Sequence, residues 1–211
     1  MRIILFPIAD GSNTYFVTND INQAILIDPG SNTNNVLINK IKRENLDIKY
    51  ILLTHGHYDH IRGLKDVCNI FPEVEVYIGS EDEICLTNER YNVSNLSGYK
   101  LEPYTPKNLH LVTDNEELNL LGYQIKVIHT PFHTMGSVCY YFPSLEVLFS
   151  GDTLFRGSIG RTDLVGSEPR KINDSLRKLT KLPINTKVYP GHENMTTIER
   201  EMKYNIYIKE L

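Results

Sequence analysis

The chain has 211 residues, of which 41% are hydrophobic and 23% charged, proportions typical of a globular protein with a sizeable core. Its formal net charge is -4, and its Lys and Arg residues are scattered rather than clustered. Nucleic acid is therefore not an expected partner, because a phosphate backbone requires a concentrated basic surface.

The N-terminal apolar run is interrupted at Pro7 and is shorter than the apolar part of a secretory signal, about 7 to 15 residues. No other segment is apolar over the length needed to span a bilayer. The three cysteines, Cys68, Cys85 and Cys139, are far apart and odd in number, which favours free thiols in a reducing compartment. We therefore expect a cytoplasmic protein with no membrane partner, whose oligomeric state these features do not determine.

Short apolar runs separated by turn residues predict strands at 2–8, 13–19, 23–28, 48–53 and 74–78 in the first part of the chain. Apolar residues at helical spacing predict helices at 34–44 and 62–71. The second part is predicted to contain strands at 109–112, 123–129, 137–142, 146–150 and 186–189. Ser167 is expected to cap a helix that has Pro169 in its first turn, and Thr196 with Glu199 matches a capping box for a last helix. This alternation indicates an α+β fold with two mixed sheets packed face to face and helices outside, forming a single domain over residues 1–211.

Residues 87–107 form a polar segment without a clear period. Long connections of this kind are often active-site covers, although a solvated surface loop is an equally good interpretation. Tyr91 and Lys100 within this segment are candidate substrate contacts.

Three histidines and an aspartate are concentrated directly after the predicted strand at 48–53. The run reads Thr54-His55-Gly56-His57-Tyr58-Asp59-His60. Side chains two residues apart in an extended segment point the same way, so His55 and His57 can bind one ion together. Asp59 and His60 lie past the turn and suit a second ion beside the first.

Three further candidate ligands each follow a predicted strand: His133, Asp152 and His192. Side chains at strand ends share one rim of a sheet, which is where open α/β architectures build their sites. His110 and His129 lack this context, and we expect them to be structural.

These seven candidate ligands offer imidazole and carboxylate groups but no thiolate, which suits Zn first, with Fe or Mn as alternatives. Seven ligands exceed one tetrahedral shell, so we expect two divalent ions about 3.5 to 4 Å apart, bridged by Asp152. Two such ions can lower the pKa of a shared water towards about 7 and so provide hydroxide at neutral pH. The predicted reaction is metal-dependent hydrolysis, with candidate catalytic residues His55, His57, Asp59 and Asp152.

The motif His-x-His-x-Asp-His, with its downstream His, Asp and His, resembles the metallo-β-lactamase superfamily. Five segments, 27–30, 129–134, 149–155, 157–163 and 189–192, resemble glyoxalase II-type thioesterases, the hydroxyacylglutathione hydrolases. The resemblance implies a four-layer αβ/βα sandwich. It also implies that one ion is held by His55, His57 and His133, that the other is held by Asp59, His60 and His192, and that Asp152 bridges them.

The activity implied by this resemblance is hydrolysis of a 2-hydroxyacyl thioester such as S-lactoylglutathione. A thiol with a pKa near 8.5 leaves as thiolate, so the reaction needs no strong general acid. By the same resemblance Asp28 would orient a ligand histidine. Arg161 would contact an anionic substrate group or form a structural ion pair, and the sequence leaves both roles open.

The chain departs from the glyoxalase II pattern at three places. The sequence ends at Leu211, so we expect the helical C-terminal domain that supplies glutathione contacts to be absent. Glu193 stands where relatives commonly have Gly, and Phe132 stands where Gly often precedes the ligand histidine. Both are expected to bring charge or bulk near the site.

Other functions remain open at this point. An iron persulfide dioxygenase of the same superfamily would use His55, His133 and Asp152 as a facial triad. A lactonase would share the whole ligand set. A metal-binding module without turnover is the alternative from outside enzymology, although such proteins tend to have lost ligands.

Overall fold

The first sheet is built by strands from the first half of the chain. The computed structural model describes residues 2–6 and 12–211, so positions 7 and 8 of the first predicted strand lie outside the described residues. The strands are β1 (Arg2–Phe6), β2 (Thr14–Thr18), β3 (Gln23–Ile27), β4 (Asp47–Leu52), β5 (Glu75–Gly79) and β6 (Leu109–Val112). They lie side by side in that order; the first two pairings are antiparallel and the other three parallel.

The second sheet also has six strands. These are β7 (Glu117–Leu120), β8 (Tyr123–His129), β9 (Val138–Phe142), β10 (Val147–Gly151), β11 (Lys187–Pro190) and β12 (Thr196–Thr197). Their spatial order follows the chain, and only β10 and β11 pair in parallel. This sheet is therefore mixed, as the sequence predicted.

Seven helices lie in the described part of the chain. They are α1 (Val36–Arg43), α2 (Tyr58–Ile61), α3 (Leu64–Ile70), α4 (Ser94–Ser97), α5 (Ile172–Leu179), α6 (Ile198–Tyr204) and α7 (Ile206–Lys209). Within residues 2–6 and 12–211, no helix has the length and apolar character required for a membrane crossing.

Three apolar clusters separate four layers. In β3, Ala24 and Leu26 pack into a cluster with helices α1 and α3, whereas Ile25 and Ile27 pack into the cluster between the two sheets. Successive side chains of a strand point to opposite faces, so one strand contributes to both clusters. The third cluster packs α5 and α6 on the second sheet. The result is the expected αβ/βα sandwich.

The predicted helix at 62–71 is α3, which begins two residues later than predicted, and Gly63 separates it from the short helix α2. The backbone N–H of Gly63 donates to the carbonyl of Pro29 at 2.8 Å, and a Cβ at Gly63 would lie 3.0 Å from that oxygen. Close backbone contact thus replaces a continuous helix here. Strand β7 was not predicted, because four residues with only Leu118 and Leu120 buried give a weak period-two signal.

Both predicted helix caps were wrong. The Ser167 hydroxyl donates to the carbonyl of His133 at 2.8 Å, and α5 begins only after a 3-10 turn at Pro169–Lys171. At α6 the cap is Thr197, whose hydroxyl accepts from the N–H of Arg200, while Thr196 belongs to β12. At α6 the neighbouring Thr196 and Thr197 offer the same capping chemistry, and the pairing of Thr196 in β12 leaves Thr197 to cap. No side chain of the described residues caps α5 or the 3-10 turn before it.

Candidate metal centre

The seven candidate ligands are brought together from four separate places at the ends of strands. His55, His57, Asp59 and His60 follow β4, His133 lies between β8 and β9, and Asp152 and His192 follow β10 and β11. The edges of the two sheets meet here, since the N–H of Val138 donates to the carbonyl of Thr54 at 2.8 Å. We call these seven side chains the His/Asp cluster.

One part of the cluster contains three buried imidazoles, His55, His57 and His133. Their ring centroids are 4.5 to 4.8 Å apart, and their possible ligand atoms all lie within 4.8 Å of one another. This spacing is suited to three nitrogen ligands around one ion.

The other part contains Asp59, His60 and His192, whose ligand atoms also lie within 4.8 Å of one another. Nε2 of His192 is 3.2 Å from Oδ2 of Asp59, and Nε2 of His60 is 3.9 Å from the same oxygen. His192 is the most exposed of the three, so this part faces the cavity described below.

Asp152 lies between the two parts. Its Oδ1 is 3.3 Å from Nε2 of His60, and its Oδ2 is 3.4 Å from Nε2 of His133 and 3.6 Å from Nε2 of His192. Burial alone would raise its pKa, but the surrounding imidazoles, His60 foremost, lower it below the ordinary value. A carboxylate in this position is able to bridge two cations.

Hydrogen bonds from the second nitrogen orient three of the histidines. Nδ1 of His133 lies 2.8 Å from the carbonyl of Arg161, and Nδ1 of His60 lies 2.9 Å from Oδ2 of Asp28. Nδ1 of His55 is 3.2 Å from the Thr54 hydroxyl, which itself donates to Asp28 at 2.7 Å. Because these oxygens accept the Nδ1 protons, each Nε2 keeps a free lone pair for a metal.

The interior of the cluster holds polar atoms without protein partners. Among the described residues, the Nε2 atoms of His55, His57, His60 and His133 and Oδ1 of Asp152 are buried and lack hydrogen bonds. Burial lowers the pKa of His57 to about 3, and that of His55 well below its usual value, so both rings are neutral. Buried, neutral and unpartnered imidazoles are unfavourable alone but are the form that binds divalent metals, so the site fits such ions.

Asp82 supports the cluster from behind and was missed by sequence reasoning. Its carboxylate accepts from the N–H of Gly56 at 2.8 Å, the hydroxyl of Thr134 at 2.7 Å and the N–H of Gly136 at 2.8 Å. Burial raises its pKa, and these three hydrogen bonds counteract part of the effect. Gly56 separates His55 from His57, so Asp82 links two of the ligand-bearing loops.

A cavity of about 590 Å³ opens onto the cluster. Its apolar wall is formed by Tyr58, Val93, Leu96, Phe155, Ile159 and Leu164. Val93 and Leu96 lie in the 87–107 segment, which is consistent with the interpretation of that segment as part of the site.

The three candidate substrate residues are placed differently. Arg161 lines the cavity, but its guanidinium forms two 2.7 Å hydrogen bonds with the carboxylate of Asp163. Tyr91 lines a small cleft beside Glu81 instead, and Lys100 lines a separate cavity next to Lys65. The structure therefore does not bring Tyr91 and Lys100 to the His/Asp cluster.

The two departures near the ligand histidines also differ in outcome. The Glu193 side chain lines the cavity, and its φ of +66° explains why glycine would be favoured at this position. Phe132 is fully buried in the apolar cluster beneath α5, so its bulk is in the core and not in the cavity. His110 stacks on Tyr77 and lies outside the His/Asp cluster.

Comparison with known proteins is consistent with this geometry. The family model of the metallo-beta-lactamase superfamily matches residues 7–192, a range that contains the whole His/Asp cluster. The chain is 33% identical to a hydroxyacylglutathione hydrolase of Buchnera aphidicola over 193 residues, 92% of this chain and 67% of that protein.

Two solved structures are similar over nearly their whole length. The BLEG-1 B3 metallo-beta-lactamase is 37% identical with a TM-score of 0.91, covering 98% of this chain and 99% of that one. The TTHA1623 protein in a di-iron-bound form is 32% identical with a TM-score of 0.83, covering 96% and 99%. Given this match in sequence and fold, the chain belongs to the metallo-beta-lactamase superfamily.

Proposed function

We propose that this protein is a dinuclear metal-dependent thioesterase that hydrolyses 2-hydroxyacyl thioesters, the class to which S-lactoylglutathione belongs. The observation that carries the proposal is the position of Asp152 between two complete groups of ligands. A site for a single ion would not need Asp59, His60 and His192 as well. The di-iron form of a protein 32% identical to this chain supports a two-ion centre.

Two divalent ions bound there would supply an activated water and positive charge for the thioester carbonyl oxygen. The His/Asp cluster would hold these ions, and Asp152 lies within 3.6 Å of histidines from both halves. The leaving thiol is acidic enough to depart as thiolate, which agrees with the lack of a further buried acid among the cavity residues described. Zn is the metal we propose first, with Fe or Mn as alternatives, because the ligands are imidazoles and carboxylates.

The name of the Buchnera relative supports thioester hydrolysis in particular, since that protein is called a hydroxyacylglutathione hydrolase. Hydrolysis of β-lactams is a second candidate, favoured by the extensive similarity to the BLEG-1 B3 metallo-beta-lactamase. Both reactions begin with attack of water on a carbonyl carbon, so one metal centre could serve either. The size and lining of the cavity, not the metal ligands, would separate the two substrates.

Metal quantification coupled to a substrate panel tests the proposal. The purified protein would be analysed for Zn, Fe and Mn and assayed with a lactoyl thioester, a lactone, a β-lactam and glutathione persulfide. We expect two metal ions per chain and the highest kcat/KM with the thioester. One iron per chain with oxygen consumption on the persulfide would instead indicate a dioxygenase, and the highest kcat/KM on the β-lactam would indicate a lactamase.

A further inference from the structure

Within the described part of the chain, the lysine and arginine side chains at the outer part of the cavity amount to one, and it is already paired with a carboxylate. Arg161 is the one Lys or Arg that lines it among residues 2–6 and 12–211, and both of its hydrogen bonds to Asp163 are 2.7 Å long. The remaining positions, 1 and 7–11, contain no Lys or Arg in the sequence. A substrate carboxylate would have to displace Asp163, which is attached to the same loop and therefore competes at a high effective concentration.

A negative charge is present at the same rim. Glu193 directly follows the ligand His192 and lines the cavity. Its backbone has a φ of +66°, a conformation that is unfavourable for residues other than glycine. Asn13 fixes this backbone by donating to the Glu193 carbonyl at 2.9 Å. Glu193 therefore places a carboxylate-bearing residue beside His192 at the mouth of the cavity, in a backbone conformation that glycine would adopt more easily.

The opposite wall is apolar. Leu96 is 68% exposed and Val93 has φ of +55°, which is unusual for a β-branched residue. Both side chains line the cavity. With Tyr58 and Phe155 they form a continuous apolar wall, which an apolar part of a substrate could contact.

From this distribution of charge, and resting on the proposed thioesterase function, we infer that the thiol part of the substrate carries no carboxylate and is uncharged and partly apolar. Hydrolysis then adds water across the acyl carbon–sulfur bond and releases the 2-hydroxy acid and a neutral thiol. Glutathione has two carboxylates, and these would approach Glu193 and an Arg161 that is already paired with Asp163. Neither residue would compensate for the hydration that the carboxylates lose on binding.

The test compares two lactoyl thioesters that differ only in the thiol, glutathione and the neutral N-acetylcysteamine, with the metal-replete protein. The measured quantity is the ratio of the two kcat/KM values, because loss of folded or metal-loaded protein cancels in it. We expect the wild-type ratio to favour N-acetylcysteamine. The double variant Asp163→Asn/Glu193→Gln removes two negative charges from the cavity mouth. We expect its ratio to shift towards glutathione by about fivefold for each charge removed, so by about 25-fold in all, chiefly through a lower KM for that substrate.

Glu102→Gln is the matched control. It removes one negative charge from an exposed pair with Lys65, outside the cavity, so the ratio should stay at the wild-type value. A wild-type preference for the glutathione thioester, or a ratio that the double variant leaves unchanged, would overturn the inference while leaving the thioesterase proposal standing. Cleavage of neither thioester would overturn both.

Discussion

Oδ2 of Asp28 lies 2.9 Å from Nδ1 of His60, and both side chains are buried. The same oxygen accepts the hydroxyl proton of Thr54, which is in contact with His55. Asp28 therefore orients one histidine from each half of the His/Asp cluster. The Asp-Pro-Gly turn at 28–30 thus has a clear physical role at the junction of the two halves.

Replacing Asp28 by Asn should weaken metal binding without removing a ligand. Oδ1 accepts from the N–H of Thr54 and Oδ2 from Thr54 and His60, so an amide must turn its NH₂ towards one of these donors. We expect the metal affinity to fall by about 10 to 100-fold, measured by competition with a chromophoric chelator. Asp66→Asn, an exposed substitution on α3, is the control. Equal affinities in Asp28→Asn and the wild type would show that the orienting contact is unimportant.

Asp82→Asn should lower the free energy of unfolding, even with metal removed. The carboxylate accepts three hydrogen bonds with both oxygens, and an amide can satisfy only some of those buried donors. We expect a loss of about 1 to 3 kcal/mol, measured by guanidinium unfolding in the presence of a chelator.

The neighbouring Glu83 provides the control for Asp82. It is exposed on the same 3-10 turn, and Glu83→Gln should leave the unfolding midpoint unchanged. If Asp82→Asn were as stable as Glu83→Gln, the link between the ligand-bearing loops would contribute little to folding.

The convergence of the candidate ligands could be predicted from the sequence because of where strands end. His133, Asp152 and His192 each follow a run of β-branched or aromatic residues, and parallel strands bring their carboxyl ends to one edge. The outer layers could also be predicted, since the apolar stripe of α5 has helical spacing and packs as expected. The strand runs and the helical stripe are patterns of neighbouring residues, so they can be recognised in a single sequence.

The supporting residues could not be predicted in the same way. Asp82 stands between Glu81 and Glu83, and only the fold makes it buried while its neighbours are exposed. Likewise, nothing in the 87–107 segment distinguishes Val93, which lines the cavity, from Tyr91, which does not. Contacts between distant segments determine both outcomes.

Asp152→Ala should remove the group that lies between the two halves of the centre. We expect metal content below two ions per chain and thioesterase kcat/KM reduced at least about 100-fold, because loss of a ligand should cost more than loss of an orienting contact. Metal analysis and kinetics on the same preparation measure both. Asp174→Ala, on the exposed face of α5, controls for loss of a carboxylate. A fully active variant with both metals bound would contradict the bridging role.

Glu201 links the last helices to the loop that forms part of the cavity wall. Its buried carboxylate accepts from Thr196 and Arg200 on one oxygen. The other oxygen accepts from the backbone N–H of Gly157 and the side-chain amide of Asn205. Gly157 lies between Phe155 and Ile159, two residues of the cavity wall.

Glu201→Gln should therefore affect both stability and substrate binding. The amide would leave at least one buried donor unpaired, at a cost of about 1 to 3 kcal/mol in the free energy of unfolding. Gly157 belongs to the part of the loop that forms the cavity wall, whereas the Arg161 carbonyl that orients His133 lies four residues further on. We therefore expect chiefly a higher KM, with metal content close to that of the wild type. Glu199→Gln, two residues earlier on the exposed side of α6, should change neither quantity. Loss of metal in Glu201→Gln with an unchanged KM would mean that this network supports the metal centre and not the substrate wall.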